Sequence, residues 1–231
     1  MIWPFSKRQR PNLDADIRAR LDALLRNDND LKCPLQEERW CVVDVETGGL
    51  DTRHDALLAI GVVIIDHAQI RMGESFEVHL QQAEATDAGN ILIHGISGSV
   101  QREGATPESA LLDYLQHVGN SPRVAFHAAF DQTVLQRDAR TRLGWKHDAA
   151  WLDAAVIAPL LFPQAEADCR SLDDWLGYFG IANYARHGAL ADAFATAELW
   201  LVLVQAARKQ GLKNARALKK LAQARRWLSA H

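Results

Sequence analysis

Cysteine is scarce in this 231-residue chain: only Cys33, Cys41 and Cys169 occur, and no two sit at a zinc-ligand spacing. That excludes a disulfide scaffold and a structural zinc site, and it fits a reducing interior. The opening MIWPF is too short for a signal-peptide core, and no stretch approaches the length needed to cross a bilayer, so a cytoplasmic protein is expected. Internal repeats and low-complexity segments are absent as well. Acid is missing from one region: from Leu201 to the end there are eight Lys or Arg and no Asp or Glu. The formal net charge of −3 therefore hides an acidic body and a basic tail.

What is present is ordinary for one soluble domain, with 48% hydrophobic and 24% charged residues. Residues 1–38 form a helical extension, in which Ile17, Leu21, Leu24 and Leu25 mark an amphipathic helix over Asp14 to Arg26. From Trp40 the pattern turns to strand. WCVVDVE, LLAIGVVIID and the segment Ser75–Leu80 predict an antiparallel meander. Pro107 to Val118 is helical, VAF at 124–126 is a short strand, Phe130 to Leu143 is helical, and AAWLD is a last strand before three helical stretches. Strands first and alternation afterwards predict an α/β domain with a mixed sheet, over residues 39–205. Residues 206–231 form a basic helical tail with a stripe at Leu212, Ala215, Leu218, Leu221, Ala222, Arg225 and Leu228. Two readings of that tail stand: a solvated helix packed on the domain, or phosphate contact with a nucleic-acid strand.

Four acids and a histidine carry the chemistry. Asp44 and Glu46 are two apart on a strand, so both leave one face, where the strand meets Gly48-Gly49. Two adjacent carboxylates repel unless a proton or a hard cation lies between them. Asp131 opens the helix after VAF, where an acid also complements the helix dipole. Asp192 lies among alanines, where small neighbours permit close approach to a strand. His187 precedes it by five residues; on one continuous helix the two would point about 140° apart. Gly188 allows a break that lets His187 sit in a loop, where a neutral imidazole suits proton transfer from water.

In this order the residues are recognisable. Val42 to Leu50 resembles the first motif of the DEDD exonuclease superfamily, Phe130-Asp131 the second, and His187 to Asp192 the third. Ile93-His94-Gly95-Ile96, Leu152-Asp153 and Ser171-Leu172 with Trp175-Leu176 match further family segments. The likeness runs from about Trp40 to about Val204 and is nearest the proofreading epsilon subunits of bacterial DNA polymerase III and their stand-alone relatives. Histidine five residues before the last Asp selects the DEDDh branch, since the tyrosine branch would need Tyr where Gly188 stands. One departure is His127, where the family usually has Asn.

The resemblance implies a ribonuclease H-like fold with a mixed five-stranded sheet flanked by helices. It implies a 3′→5′ exonuclease with two divalent cations, Mg²⁺ or Mn²⁺, held by Asp44, Glu46, Asp131 and Asp192, with His187 as the base. Thr47, Gly48, Gly49, Leu50, His94, Ile96 and Phe130 are the implied contacts to the terminal nucleotide. Single-stranded 3′ ends, DNA ahead of RNA, are the expected partners. An RNA-directed nuclease and a non-catalytic nucleic-acid scaffold stand as alternatives, and polymerase association or a homodimer has no support in the sequence.

Overall fold

Alternation along the first strand decides the layers of the molecule. In β1 (Trp40–Thr47), Trp40 and Val42 enter one hydrophobic cluster while Cys41, Val43 and Val45 enter another. A strand whose two faces are both apolar must be central, and β1 is. It runs antiparallel to β2 (Leu57–Asp66) and parallel to β5 (Arg123–Ala125), which is parallel in turn to β6 (Trp151–Asp153). The computed structural model describes residues 12–24, 29–84, 95–146, 149–182 and 188–229.

The sheet is mixed, as expected, with six strands where five were expected. The extra one comes from a divided edge. β3 (Gln69–Ile70) and β4 (Phe76–His79) both pair antiparallel with β2, at Ile65–Asp66 and at Ala59–Val62. A 3₁₀ turn at Met72–Glu74 separates them, so two short strands share one edge position. The tight turn into β3 puts His67 and Ala68 at φ of 50° and 55°. A two-residue hairpin prefers that geometry because it matches strand twist.

One face is covered by α3 (Pro107–Val118) and α4 (Ala129–Arg142), which bury Leu111, Leu112, Val134 and Leu135. Between β4 and α3 lies the short helix α2 (Gly98–Glu103), capped by the Ser97 side chain. The N-terminal helix α1 (Ala15–Asp22) joins that face through Leu21 and an Arg20–Asp113 ion pair of 2.5 Å. It is shorter than its expected span, and Leu25 and Arg26 lie outside the described residues.

The other face carries α5 (Ala154–Leu161), α6 (Leu172–Phe179), α7 (Ala189–Lys209) and α8 (Ala215–Ser229). α6 starts at a reciprocal Ser171–Asp174 capping box and ends on Gly180 at φ 67°. Contrary to the expectation that no stretch reaches membrane-spanning length, α7 is long and apolar enough by size and hydropathy. Its apolarity is spent inside the protein, with 56% of its most apolar window buried and Trp200 packed edge-on to Trp40 at 5.2 Å. A helix apolar on several faces is what a core position requires.

α8 also packs on the domain. Ala215 and Leu218 are fully buried, and Leu212, Leu221 and Ala222 lie against the same cluster. The N-terminal segment anchors it: Leu35 N–H donates to the Lys213 carbonyl, and Arg216 N–H to the Leu31 carbonyl. An Arg225–Glu166 ion pair ties its outer side to the loop after α5.

Candidate active site

The even-numbered face of β1 carries Trp40 and Val42 into the core and then, where the strand ends, Asp44 and Glu46. Across the antiparallel ladder, Asp44 is opposite Gly61 and Glu46 is opposite Ala59. Those small residues interrupt an otherwise bulky strand, LLAIGVVIID, and they leave a hollow beside the acids. The start of α7 fills it: a Cβ on Gly61 would lie 2.2 Å from the Ala189 carbonyl carbon and 2.4 Å from Leu190 N. Asp192, one turn further along α7, thereby reaches the strand. Ligand oxygens of Asp44, Glu46 and Asp192 all lie within 4.8 Å of one another.

The helix begins where the sequence placed a break. Gly188 caps it in an extended conformation, φ −135° and ψ 130°, and the helical residues start at Ala189. His187 itself lies outside the described residues, as does His94.

Asp131, the fourth expected acid, is not in that three-carboxylate group and lies against β1 from the α4 face. It sits in the first turn of α4, is 4% exposed, and accepts a 3.1 Å hydrogen bond from Val45 N–H, just beyond the point where β5 leaves the β1 ladder. Burial pushes its carboxyl up to about 8, with the charges of Asp153 and Glu46 adding to the rise and backbone N–H donors opposing it. The turn that delivers Asp131 runs through His127, held at φ 63° with its N–H donating to Asp153 Oδ1 at 3.1 Å. That left-handed backbone accommodates His127 as it would the Asn expected from the resemblance, since Asn and His are each enriched there among non-glycine residues. The imidazole is exposed and packs edge-on to Phe126, so the backbone, not the side chain, makes the contact to Asp153.

After β1 the chain turns tightly. Thr47 Oγ1 donates to the Gly49 carbonyl at 2.6 Å, and Gly48 N–H to the Ala56 carbonyl at 2.9 Å. A Cβ at Gly49 would lie 2.4 Å from Asp55 Oδ2, so a side chain there would displace the Asp55 carboxylate. Leu50 projects from this loop with 90% of its surface exposed. Phe130 is half-buried against the α3/α4 cluster, and Ile96 is buried with Leu58, Ala59 and Ala189. Sequence reasoning did not single out Gly61 or Ala59. Two small residues inside a β-branched run were the available signal.

The donor set is all carboxylate oxygen, which suits a hard divalent cation. Three such groups this close repel one another, and a bound cation relieves that repulsion. Nothing in the donor set favours a soft metal.

The exonuclease family model RNase_T matches residues 41–200, which span β1 through most of α7. A DNA polymerase III subunit epsilon-like protein of Rhodobacter capsulatus is 30% identical over 182 residues, covering 78% of this chain and 25% of that relative. A PolC-type DNA polymerase III of Thermotoga petrophila is 27% identical over 75% of this chain, which spans only 12% of the relative's length. Among solved structures, E. coli exonuclease I bound to a dT13 oligonucleotide superposes with a TM-score of 0.62 at 16% identity, over 75% of this chain and 42% of that one. Exonuclease X in complex with 5′ overhanging duplex DNA gives 0.59 at 19% identity, over 79% and 99%. The folds agree with the ribonuclease H-like expectation, and the family read from the motifs is the one that matches. The chain belongs to the RNase_T exonuclease family.

Proposed function

We propose that this protein is a metal-dependent 3′→5′ exonuclease that releases 5′-nucleotides from single-stranded DNA, with residues 39–205 as the nuclease unit. The observation that carries the reading is the meeting of Asp44, Glu46 and Asp192 within 4.8 Å, from a strand and a helix far apart in sequence. Asp44, Glu46 and Asp192 would hold one divalent cation, Mg²⁺ or Mn²⁺, and Asp131 with Asp44 a second. When bound, such a pair stabilises charge on the attacking and leaving oxygens of an in-line displacement.

The chain's own residues supply the rest. His187 takes the proton of the attacking water as its oxygen bonds to phosphorus. The P–O3′ bond breaks and O3′ takes a proton from solvent water, leaving a 3′-hydroxyl on the shortened strand and a 5′-monophosphate on the released nucleotide. The Thr47–Leu50 turn receives the terminal nucleotide, and exposed Leu50 offers an apolar surface for its base. Gly48, Gly49, His94, Ile96 and Phe130 complete that proposed contact set. Such contacts read stacking and shape, so trimming without sequence preference follows. The single-stranded oligonucleotide bound by exonuclease I supports DNA as the strand. A cytoplasmic setting, in keeping with free Cys33, Cys41 and Cys169, is part of the same reading.

The test uses DNA and RNA oligonucleotides labelled at either end, with chelated protein to which Mg²⁺ or Mn²⁺ is restored. The expected result is metal-dependent loss of the 3′ label first, faster on DNA. Faster loss on RNA would move the substrate to RNA. Absence of metal-dependent 3′ loss on both would refute the nuclease reading.

A further inference from the structure

At the β6 edge of the sheet, around Asp153, whose charge acts on the buried carboxyl of Asp131, lies a cavity of about 110 Å³. Four elements build it, with Ile157 of α5 as its apolar floor residue beside the polar ones. Ala128, Ala129 and Gln132 come from the start of α4, Asp153 from the end of β6, and Lys219 and Gln223 from α8. Gln132 adjoins Asp131, so the cavity and the acid site share one helical turn. Ala128 gives the α4 N-terminus no side-chain cap, and the acid of that first turn is Asp131. Asp153 is turned onto backbone, accepting from His127 N–H and Ala155 N–H at 3.1 Å each. Lys219, one residue after the fully buried Leu218, is half-buried and lines the cavity.

The volume holds several waters or one phosphate group. The available donors are an ammonium and two side-chain amides, the groups that bind phosphate oxygens. We infer that this cavity receives a second backbone phosphate of the strand held at the carboxylates, and that Lys219 pairs with it. The inference rests on the nuclease reading for its substrate. It also gives the C-terminal helix a role, although α8 lies outside residues 41–200.

The experiment measures the dissociation constant of a fluorescent single-stranded 12-mer by anisotropy across a salt series, on the full chain without divalent metal, with turnover measured in parallel. Lys219→Gln is expected to weaken binding roughly three- to fivefold at 0.15 M salt and to lower the slope of log K against log salt by about 0.7, the share of one single-strand phosphate. Lys219→Arg should restore both. Lys220→Gln, the same charge loss on the neighbouring exposed position, should leave the salt slope closer to wild type. Coincidence of Lys219→Gln with Lys220→Gln in affinity and slope would overturn the phosphate site while leaving the nuclease standing. Weakened binding by Lys219→Gln in a protein without turnover would uphold the site and sink the nuclease reading.

Discussion

Gly61 stands directly across the β1–β2 ladder from Asp44, and it is the absence of a side chain at Gly61 that lets the start of α7 rest on the sheet there. The carboxylate of Asp192 arrives beside Asp44 because a residue that does no chemistry makes room for it.

Gly61→Ala places a methyl 2.2 Å from backbone that cannot rotate away. Overpacking of this kind costs about 1–3 kcal/mol. Because α7 must lift to relieve it, we expect a larger fractional loss of nuclease turnover than of folded protein. Urea denaturation checks the first quantity and 3′-label release the second. Unchanged turnover in a folded Gly61→Ala protein would show that α7 is not held at this crossing.

Asp131 sets a pH dependence whose sign is fixed by its raised value. Its carboxyl is held up to about 8 in the fold, against about 3.9 unfolded, so the folded protein keeps a proton that the unfolded chain releases. Metal-free protein should therefore lose stability from this group as pH rises from about 4 to about 8. Asp131→Asn, which carries no charge at any of these values, should flatten that part of the profile. Thermal melts in EDTA across this range test it; parallel profiles for the two proteins would contradict the burial argument.

Much of this site was legible before the fold. The D-x-E pair stood at the end of a strand, the alanines around Asp192 pointed to close packing, and Gly188 allowed a break before the helix that carries Asp192. What could not be read is register. Local periodicity places Asp44 on a face but does not say which residue of LLAIGVVIID will lie opposite, so the roles of Gly61 and Ala59 stayed hidden. The split edge escaped for a related reason, because a two-residue strand such as Gln69–Ile70 carries no period at all. The hydrogen bond from Val45 N–H to Asp131 is likewise a product of where β5 leaves the sheet.

The hairpin at His67-Ala68 offers a test away from the chemistry. Ala68 holds φ 55°, a conformation that costs an L-residue about 1–2 kcal/mol and glycine little. Part of the gain is returned through the greater freedom of glycine in the unfolded chain. Ala68→Gly should stabilise the protein by roughly 0.5–1 kcal/mol in urea denaturation, with turnover unaltered. Destabilisation would mean that the turn is not held at positive φ.

On the proposed mechanism, a change at His187 separates metal binding from proton transfer. His187→Ala should bind Mn²⁺ as the wild type does and yet lose about 10²–10⁴-fold in turnover at neutral pH, the usual contribution of a general base. Equal turnover would remove the histidine from the mechanism while leaving the carboxylates in place.

The central claim is that acids from separate elements form one cation site, and direct Mn²⁺ binding followed by electron paramagnetic resonance tests it most directly. Wild-type protein should deplete the free Mn²⁺ signal. Asp44→Asn on the strand and Asp192→Asn on the helix should each restore most of it while circular dichroism shows the fold intact. Undiminished Mn²⁺ binding in either folded variant would contradict the account.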